Sequence, residues 1–248
     1  MSATRPPLPA ETAYWRQSDD RQRVVNGLFD RAASHYDRAC ALMSFGSGQR
    51  YRRDALARAG LRPGMRVLDV GTGTGLLSQE IAHIAGTSHD VIGLDPSRSM
   101  LSVCRQARHG ATLVQAIGEQ LPFADESFDF LTMGYALRHV ADLDDAFTEY
   151  LRVLKPGGRV LLLEITRPAS RVGLSIARVY FRSFVPLATR IATGSPDAAE
   201  LMRFYWDTIQ MCVPPETVVA ALRRAGFASP DRTLVFGIFS EYTGARAT

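Results

Sequence analysis

Val67-Leu68-Asp69-Val70-Gly71-Thr72-Gly73-Thr74-Gly75 decides the reading of this chain. A short apolar run stops at alternating glycines, and a helical pattern follows over 76–86. Glycines permit a tight turn and close backbone approach, and the helix behind them presents free N–H groups to a ligand. GxGxG alone is a weak signal; two carboxylates sharpen it. Asp69 lies just ahead of the first glycine, and Asp95 ends the next strand, twenty residues after Gly75. That distance returns the chain one strand over, where a carboxylate accepts both ribose hydroxyls. A pyrophosphate prefers GxGxxG and is repelled by a carboxylate, whereas a cation is drawn to one. The turn therefore suits S-adenosylmethionine, with Asp69 acting through loop geometry or water. The alternative is a structural Asp69 that caps the amides of Gly71 and Gly73. No GxxxxGK[ST] string is present, which disfavours P-loop chemistry.

Working outward, the strand signals recur. Residues 66–70, 90–95, 112–116, 128–133 and 159–165 read as strands, separated by helices over 76–86, 98–108 and 142–153. Alternation of this kind calls for a mainly parallel sheet with helices on both faces, an α/β Rossmann-like architecture. Ahead of it, 18–37 and 47–60 read as two helices forming a cap, preceded by a loose arm over 1–15. Behind it, 172–193 is apolar, aromatic and interrupted by arginines; 198–211 and 215–225 read as helices, and 230–243 as two strands joined near Phe236-Gly237. The expected divisions are a cap over 1–60, a cofactor core over 61–170, a substrate-side helical insertion over 171–213 and a closing helix and strands over 214–248.

The 248 residues are 46% hydrophobic and 22% charged, ordinary globular composition that excludes bulk disorder. The formal charge is +4, and Lys155 is the only lysine. The densest basic stretch, Arg50 to Arg66, is mixed with apolar residues and reads as a solvated helix face, so no nucleic-acid partner is expected. Three scattered cysteines, Cys40, Cys104 and Cys212, show no metal or disulfide spacing. With no apolar signal core at the start and no run near the roughly 20 residues that span a bilayer, a cytoplasmic protein is expected. His83, His89 and His109 read as structural or surface residues, and no metal site is expected.

Further strings carry a resemblance. They are Ala33-Ser34-His35-Tyr36-Asp37, Leu42-Met43-Ser44-Phe45-Gly46, Glu119-Gln120-Leu121-Pro122-Phe123, Leu137-Arg138-His139-Val140 and Arg152-Val153-Leu154-Lys155-Pro156-Gly157-Gly158. With the glycine turn, they make the chain resemble class I S-adenosylmethionine-dependent methyltransferases. More narrowly, it is similar to the ubiquinone/menaquinone biosynthesis C-methyltransferase family, over roughly residues 20–243. The resemblance implies a seven-stranded sheet with an antiparallel last strand, and methylation of a ring carbon of a prenylated hydroquinone. It implies that Thr74 and Asp95 contact the cofactor, that Ile117 and Gly118 lie beside adenine, and that Arg138 helps activate the ring hydroxyl. Pro96, Met100, Glu119 and Gly134 complete the expected cofactor set with Asp69, Gly71, Thr72, Gly73 and Gly75. The acceptor side departs from the family: Ala39-Cys40 stand where a Met-Asn pair is usual, Tyr51 replaces a tryptophan, and His139 replaces an asparagine.

Methyl transfer from a sulfonium needs a nucleophile about 3–3.5 Å from the methyl carbon and the exclusion of water. A phenol becomes a carbon nucleophile once its hydroxyl gives up its proton. Arg138 is the expected charge stabiliser and His139 the expected proton acceptor; Tyr36 and Tyr135 would orient the ring. Plainer readings are that Arg138 pairs with Asp142 or Asp144 and that His139 caps a helix or fills a gap. Phe45, Tyr135, Tyr180, Phe184 and Trp206 are the expected acceptor contacts. The 172–193 stretch would cover that pocket, rest on a membrane face, or form a homodimer contact. O- or N-methylation of a small acceptor and a non-catalytic cofactor-binding role are the alternatives carried forward.

Overall fold

A computed structural model describes residues 6–86, 90–107 and 110–248. Seven strands form one sheet: β1 (Val67–Val70), β2 (Val91–Leu94), β3 (Thr112–Val114), β4 (Phe128–Gly134), β5 (Leu154–Ile165), β6 (Ala228–Val235) and β7 (Phe239–Ala245), in the order β3-β2-β1-β4-β5-β7-β6. The β1, β2, β3, β4 and β5 neighbours pair in parallel; β7 runs antiparallel between β5 and β6. This is the expected sheet. The order reverses at β1, whose carboxyl end is the glycine turn, and ligands of open α/β sheets bind at such switch points.

Every residue of β1 and β2 is buried, as strands covered on both faces must be. On one face, α6 (Leu143–Val153) and α10 (Pro215–Ala225) pack Phe147, Tyr150 and Leu222 onto Phe128, Leu131 and Leu162. On the other, α3 (Gly48–Ala59) and α4 (Leu76–Ala85) set Leu56 and Ile81 against Phe130 and Leu161. Asp142 starts α6 by accepting from the amides of Asp144 and Asp145, which satisfies two otherwise orphaned donors. The helix after β2 is α5 (Arg98–Gln106), capped by Ser97.

Three readings are corrected. The arm is not loose where it is described: Leu8 and Trp15 are buried, and Tyr14 Oη donates to Asp207 at 2.7 Å. These aromatic residues pack edge-on to Phe204, which removes apolar area from water that a free arm would expose. The single helix over 18–37 is two: α1 (Ser18–Ala32) ends in a tight turn over Ala33–His35, and α2 (Tyr36–Met43) follows. The break sets Tyr36 against Phe29 and Tyr205 and turns Asp37 toward the glycine loop. Strand β5 starts at Leu154, earlier than the expected 159, because Pro156-Gly157-Gly158 makes an irregularity inside the strand instead of ending it.

The apolar stretch forms α7 (Arg171–Val179), one wide π-type turn over Tyr180–Phe184, and α8 (Val185–Thr193). Pro186 has no N–H to give the carbonyl four residues earlier, so the ladder widens there. Helix α9 (Pro196–Met211) packs beneath, with Leu201, Phe204 and Tyr205 in a second core shared with α1.

Candidate active site

The glycine turn is built by close approach. Gly71, at φ +68°, has no room for a side chain: a Cβ would fall 2.7 Å from that of Ala136. Gly73, at φ +57°, faces open space. The amides of Gly71 and Thr72 both donate to Leu94 O, at 2.7 and 3.0 Å, which ties the turn to the end of β2.

Asp69 is sealed beneath the turn. Its carboxylate accepts from Ser78 Oγ and Thr132 Oγ1, both at 2.7 Å, and Thr72 Oγ1 joins Ser78 Oγ at 2.8 Å. Burial pushes its pKa up while these hydroxyls pull it down. The structural role suggested for Asp69 is therefore real, but it clamps β1 to β4 and α4 through hydroxyls and caps no glycine amide. The Gly73 amide donates to Asp95 Oδ2 at 2.9 Å, and Asp95 Oδ1 accepts from Ser97 N at 2.8 Å. Asp95 is 8% exposed, and burial raises its pKa to about 6 against the pull of those two amides. Ser97 Oγ also caps the Met100 amide at 3.0 Å, which holds Pro96 and Met100 beside the carboxylate.

Thr74 is buried, and its hydroxyl donates to Asp37 Oδ1, so the turn is fastened to α2. Gly118 abuts Val70: a Cβ there would lie 2.8 Å from Tyr150 Oη, a buried hydroxyl with no hydrogen-bond partner among the described residues. Gly134, at the end of β4, packs against Leu77 of α4. Ile117 is exposed beside Gly118. Glu119 Oε1 accepts from the amide of Ala141.

The two residues assigned to proton chemistry are elsewhere than expected. Arg138 is fully buried. It bonds Glu164 Oε1 at 2.6 Å, Thr208 Oγ1 at 3.0 Å and Tyr135 O at 2.9 Å, and it sits 4.4 Å over the Tyr205 ring. Burial works to lower its pKa, but Glu164 keeps it above the ordinary value. Its partner is thus neither Asp142 nor Asp144. His139 stacks 5.5 Å from Phe204 and edge-on to Phe29 at the same distance, with both ring nitrogens buried and without a hydrogen-bond partner among the described residues. Burial, then Arg138 and Arg21, hold its pKa well below the usual value. A neutral imidazole with shielded nitrogens fills a gap and reaches no acceptor.

Beyond the carboxyl ends of β4 and β5 lies a cavity of about 960 Å³, walled by α2, α3, α7, the π-type turn and the β6–β7 connection. Tyr36, Tyr135 and Tyr205 line it; Tyr36 Oη and Tyr205 Oη are 2.5 Å apart. Tyr135 has φ +61°, a strained conformation for an aromatic residue, held by its amide donating to Leu163 O at 2.7 Å. Phe45 and Tyr180 also line the cavity. Phe184 and Trp206 do not: Phe184 stacks behind Tyr180, and Trp206 lies buried behind Phe181, their rings 4° from parallel. Phe45 and Phe236 line the cavity yet are 78% and 82% exposed, which marks its opening. The floor adjoins the glycine turn, since Tyr135 precedes the Ala136 that packs on Gly71.

The ubiE/COQ5 methyltransferase family matches residues 16–246. The chain belongs to this family. It is 34% identical over 235 residues to a ubiquinone/menaquinone biosynthesis C-methyltransferase of Shewanella woodyi, covering 92% of each chain. It is 36% identical over 217 residues to the one of Ectopseudomonas mendocina, covering 85% of this chain and 83% of that one. A solved S-adenosylmethionine-dependent methyltransferase from Thermotoga maritima shares the fold, with a TM-score of 0.63 at 22% identity over 89% of this chain and 99% of that one.

This family member is an S-adenosylmethionine-dependent methyltransferase acting on a small organic acceptor. The turn fits that cofactor: a glycine cradle with no room for a side chain at Gly71 and open space before Gly73, a carboxylate at the end of β2, and a buried hydroxyl without a partner among the described residues beside Gly118. When bound, the cofactor supplies an electrophilic methyl group. Among the described residues no group of three His, Cys, Asp or Glu is placed to hold a metal; His89 and His109 lie outside them. The sequence reading missed Ser78 and Thr132 under Asp69, Asp37 under Thr74, and Tyr205 beside Tyr36. Of these, only Asp37 had a visible signal, its place in the Ala33–Asp37 string.

Proposed function

We propose that this methyltransferase alkylates a ring carbon of a hydroxylated, electron-rich aromatic acceptor, of the hydroquinone or phenol class. The observation that carries the reading is the position of the cavity: its floor residue Tyr135 immediately precedes the residue packed on Gly71. The cavity walls are mostly apolar and aromatic, which suits a flat ring and excludes water, while the tyrosine hydroxyls offer orienting hydrogen bonds. Holding the ring against the turn, with no covalent nucleophile, is what transfer to carbon requires. Incubation with a methyl-labelled donor and a demethylated prenyl hydroquinone tests it. Label that survives ether cleavage and maps to a ring carbon is expected. Label released with the ether would assign O-methylation, and no label in any phenol or quinol would reject the reading.

The cavity opens beside an apolar outer face. Val172, Ile176, Val179, Leu187 and Ile191 are each at least 60% exposed along α7 and α8, flanked by Arg171, Arg178 and Arg182. Apolar residues rimmed by arginines favour peripheral contact with an anionic membrane by an otherwise cytoplasmic protein. Flotation with vesicles containing anionic lipid should carry the protein upward, and Ile176→Glu should abolish this. A concentration-dependent dimer lost in the same variant would assign the face to a second copy instead.

A further inference from the structure

Helix α3 carries four arginines along 50–58, and three of them are spoken for. Arg50 approaches Asp54 at 3.9 Å, Arg53 bonds Glu80 at 2.8 Å, and Arg58 bonds Glu241 at 2.6 Å. Arg52 has no carboxylate partner among the described residues. It is half-buried and turned into the cavity, its guanidinium carbon 5.6 Å from the centre of the Tyr135 ring. Room for it comes from Gly48, where a Cβ would sit 3.1 Å from Arg52 Nη1. Its charge reaches the floor of the cavity and beyond, pulling down the pKa of Cys40, of Tyr135 and of Asp69 under the glycine turn.

We infer that Arg52 is the cation that binds the acceptor's ionised hydroxyl, so that the enzyme selects its acceptor as a phenolate. The inference rests on the cavity being the acceptor site. A half-exposed guanidinium at the wall of an apolar pocket, with no carboxylate partner among the described residues, is free to bind an anion that enters the pocket. A sulfonium held at the adjoining turn adds positive charge next to the cavity, which favours an acceptor that brings a negative charge between the two cations. Arginine stays protonated and offers a planar fork of donors to an oxygen anion. The phenol's proton passes to solvent on binding, and the anion raises electron density at the ring carbon. Asp54, Arg50 and Arg58 of α3 also line the cavity, the first two approaching each other at 3.9 Å and the third bound to Glu241; the other groups facing Arg52 are Cys40 of α2, whose thiol burial pushes up to about 11, and Tyr135 after β4, likewise raised by burial. Tyr36 is raised by burial as well, so none of the three supplies a competing anion near neutral pH. Arg138, assigned this role from sequence, is already neutralised by Glu164.

The test uses the full chain without cofactor and 4-nitrophenol as the probe, because its phenolate absorbs at longer wavelength than the phenol. A pH titration of the bound probe should show the phenolate favoured by about tenfold, an apparent pKa about one lower than for the free probe. Arg52→Gln should abolish the shift, Arg52→Lys should keep most of it, and Arg53→Gln, which removes a charge outside the cavity, should leave it intact. In the unmodified protein, 4-nitroanisole, which cannot ionise, should bind about tenfold more weakly at alkaline pH. An unchanged shift in Arg52→Gln, equal loss in Arg53→Gln, equal binding of the ether, or no binding of 4-nitrophenol would each overturn the inference. The assay reads no turnover, so failure of ring methylation and failure of phenolate binding are separate results.

Discussion

Replacing Asp95 by asparagine separates what this carboxylate costs the fold from what it gives the cofactor. Burial raises its pKa from 3.8 to about 6. A carboxyl that holds its proton more tightly in the native state than in the unfolded chain lowers stability as pH rises from the ordinary carboxylate range through about 6, and the penalty is then constant. The full penalty is about 3 kcal/mol at alkaline pH, of which about 1.4 kcal/mol develops between about pH 5 and about pH 8. Asparagine carries no such penalty. It has one acceptor oxygen for the two amides of Gly73 and Ser97, which costs about 1 kcal/mol at every pH. Urea unfolding of both proteins at the two pH values cancels that constant. The variant's stability relative to the parent should improve by about 1.4 kcal/mol from acid to alkaline, about 3–6 °C in melting temperature for a chain of this size. Affinity for S-adenosylhomocysteine should fall about tenfold per pH unit below about 6 in the parent, and be weak and flat in the variant. Parallel stability curves for the two proteins would refute the claim that Asp95 is held at an energetic cost for its ligand.

Gly71→Ala and Gly73→Ala should part company. The first meets Ala136 and should lose about 2–3 kcal/mol of stability as well as cofactor binding, whereas the second meets nothing and should lose about 1 kcal/mol while still blocking the cofactor, as read by unfolding and calorimetric titration. Glu164→Leu leaves a buried guanidinium unpaired and should cost about 3–5 kcal/mol in chemical denaturation; adding Arg138→Met should recover most of it. Asp37→Ala frees the glycine loop from α2 and should weaken S-adenosylhomocysteine binding about tenfold, with faster hydrogen exchange in α2. His139→Leu should leave the pH profile of turnover unchanged, because the imidazole is already neutral and shielded.

The cofactor half was legible because its signals are local. Strands β1 and β2 are buried on both faces, so they read as short apolar runs, broken only by Asp69 and Gly93 and ended by glycine or aspartate. The spacing from Gly75 to Asp95 is one helix and one strand, a distance along the chain that maps directly onto adjacency in the sheet. The acceptor half is assembled from 2D neighbours that local spacing does not reveal. Arg138 has acidic residues nearby in sequence, yet it pairs with Glu164 because β4 and β5 run in register from Phe130 and Arg159 to Gly134 and Leu163. Phe184 and Trp206 have the composition of pocket residues, but helix phase turns Trp206 into the core and Phe184 to the outer side of Tyr180. Arg52 did carry a readable signal. It lies one turn before the buried Leu56, on the inward edge of α3, while Arg50 is 89% exposed at the cavity's rim. A basic run with one member on the apolar stripe is not simply a solvated face.

The distribution of unpaired polar groups argues for the same division of labour. Around the turn, Asp69 is held by hydroxyls and Asp95 by two amides that leave its remaining lone pairs for a ligand, so the frame is set before any ligand arrives. In the cavity, Tyr36 and Tyr205 bond each other, Tyr180 bonds Met43 O, Tyr51 Oη is buried without a partner among the described residues, and Arg52 is left as a cation without a counter-charge among them; behind the wall, Arg138 is paired with Glu164. A preorganised donor site and an acceptor site that lacks one negative charge make binding of the second substrate, more than of the first, the step at which its ionisation is decided. Tyr135 joins the two: its strained backbone turns the ring under Arg52, and the next residue closes on Gly71. Relaxing that strain with Tyr135→Gly would satisfy the backbone, yet it would remove the surface on which the guanidinium rests and so loosen the acceptor side without touching the turn.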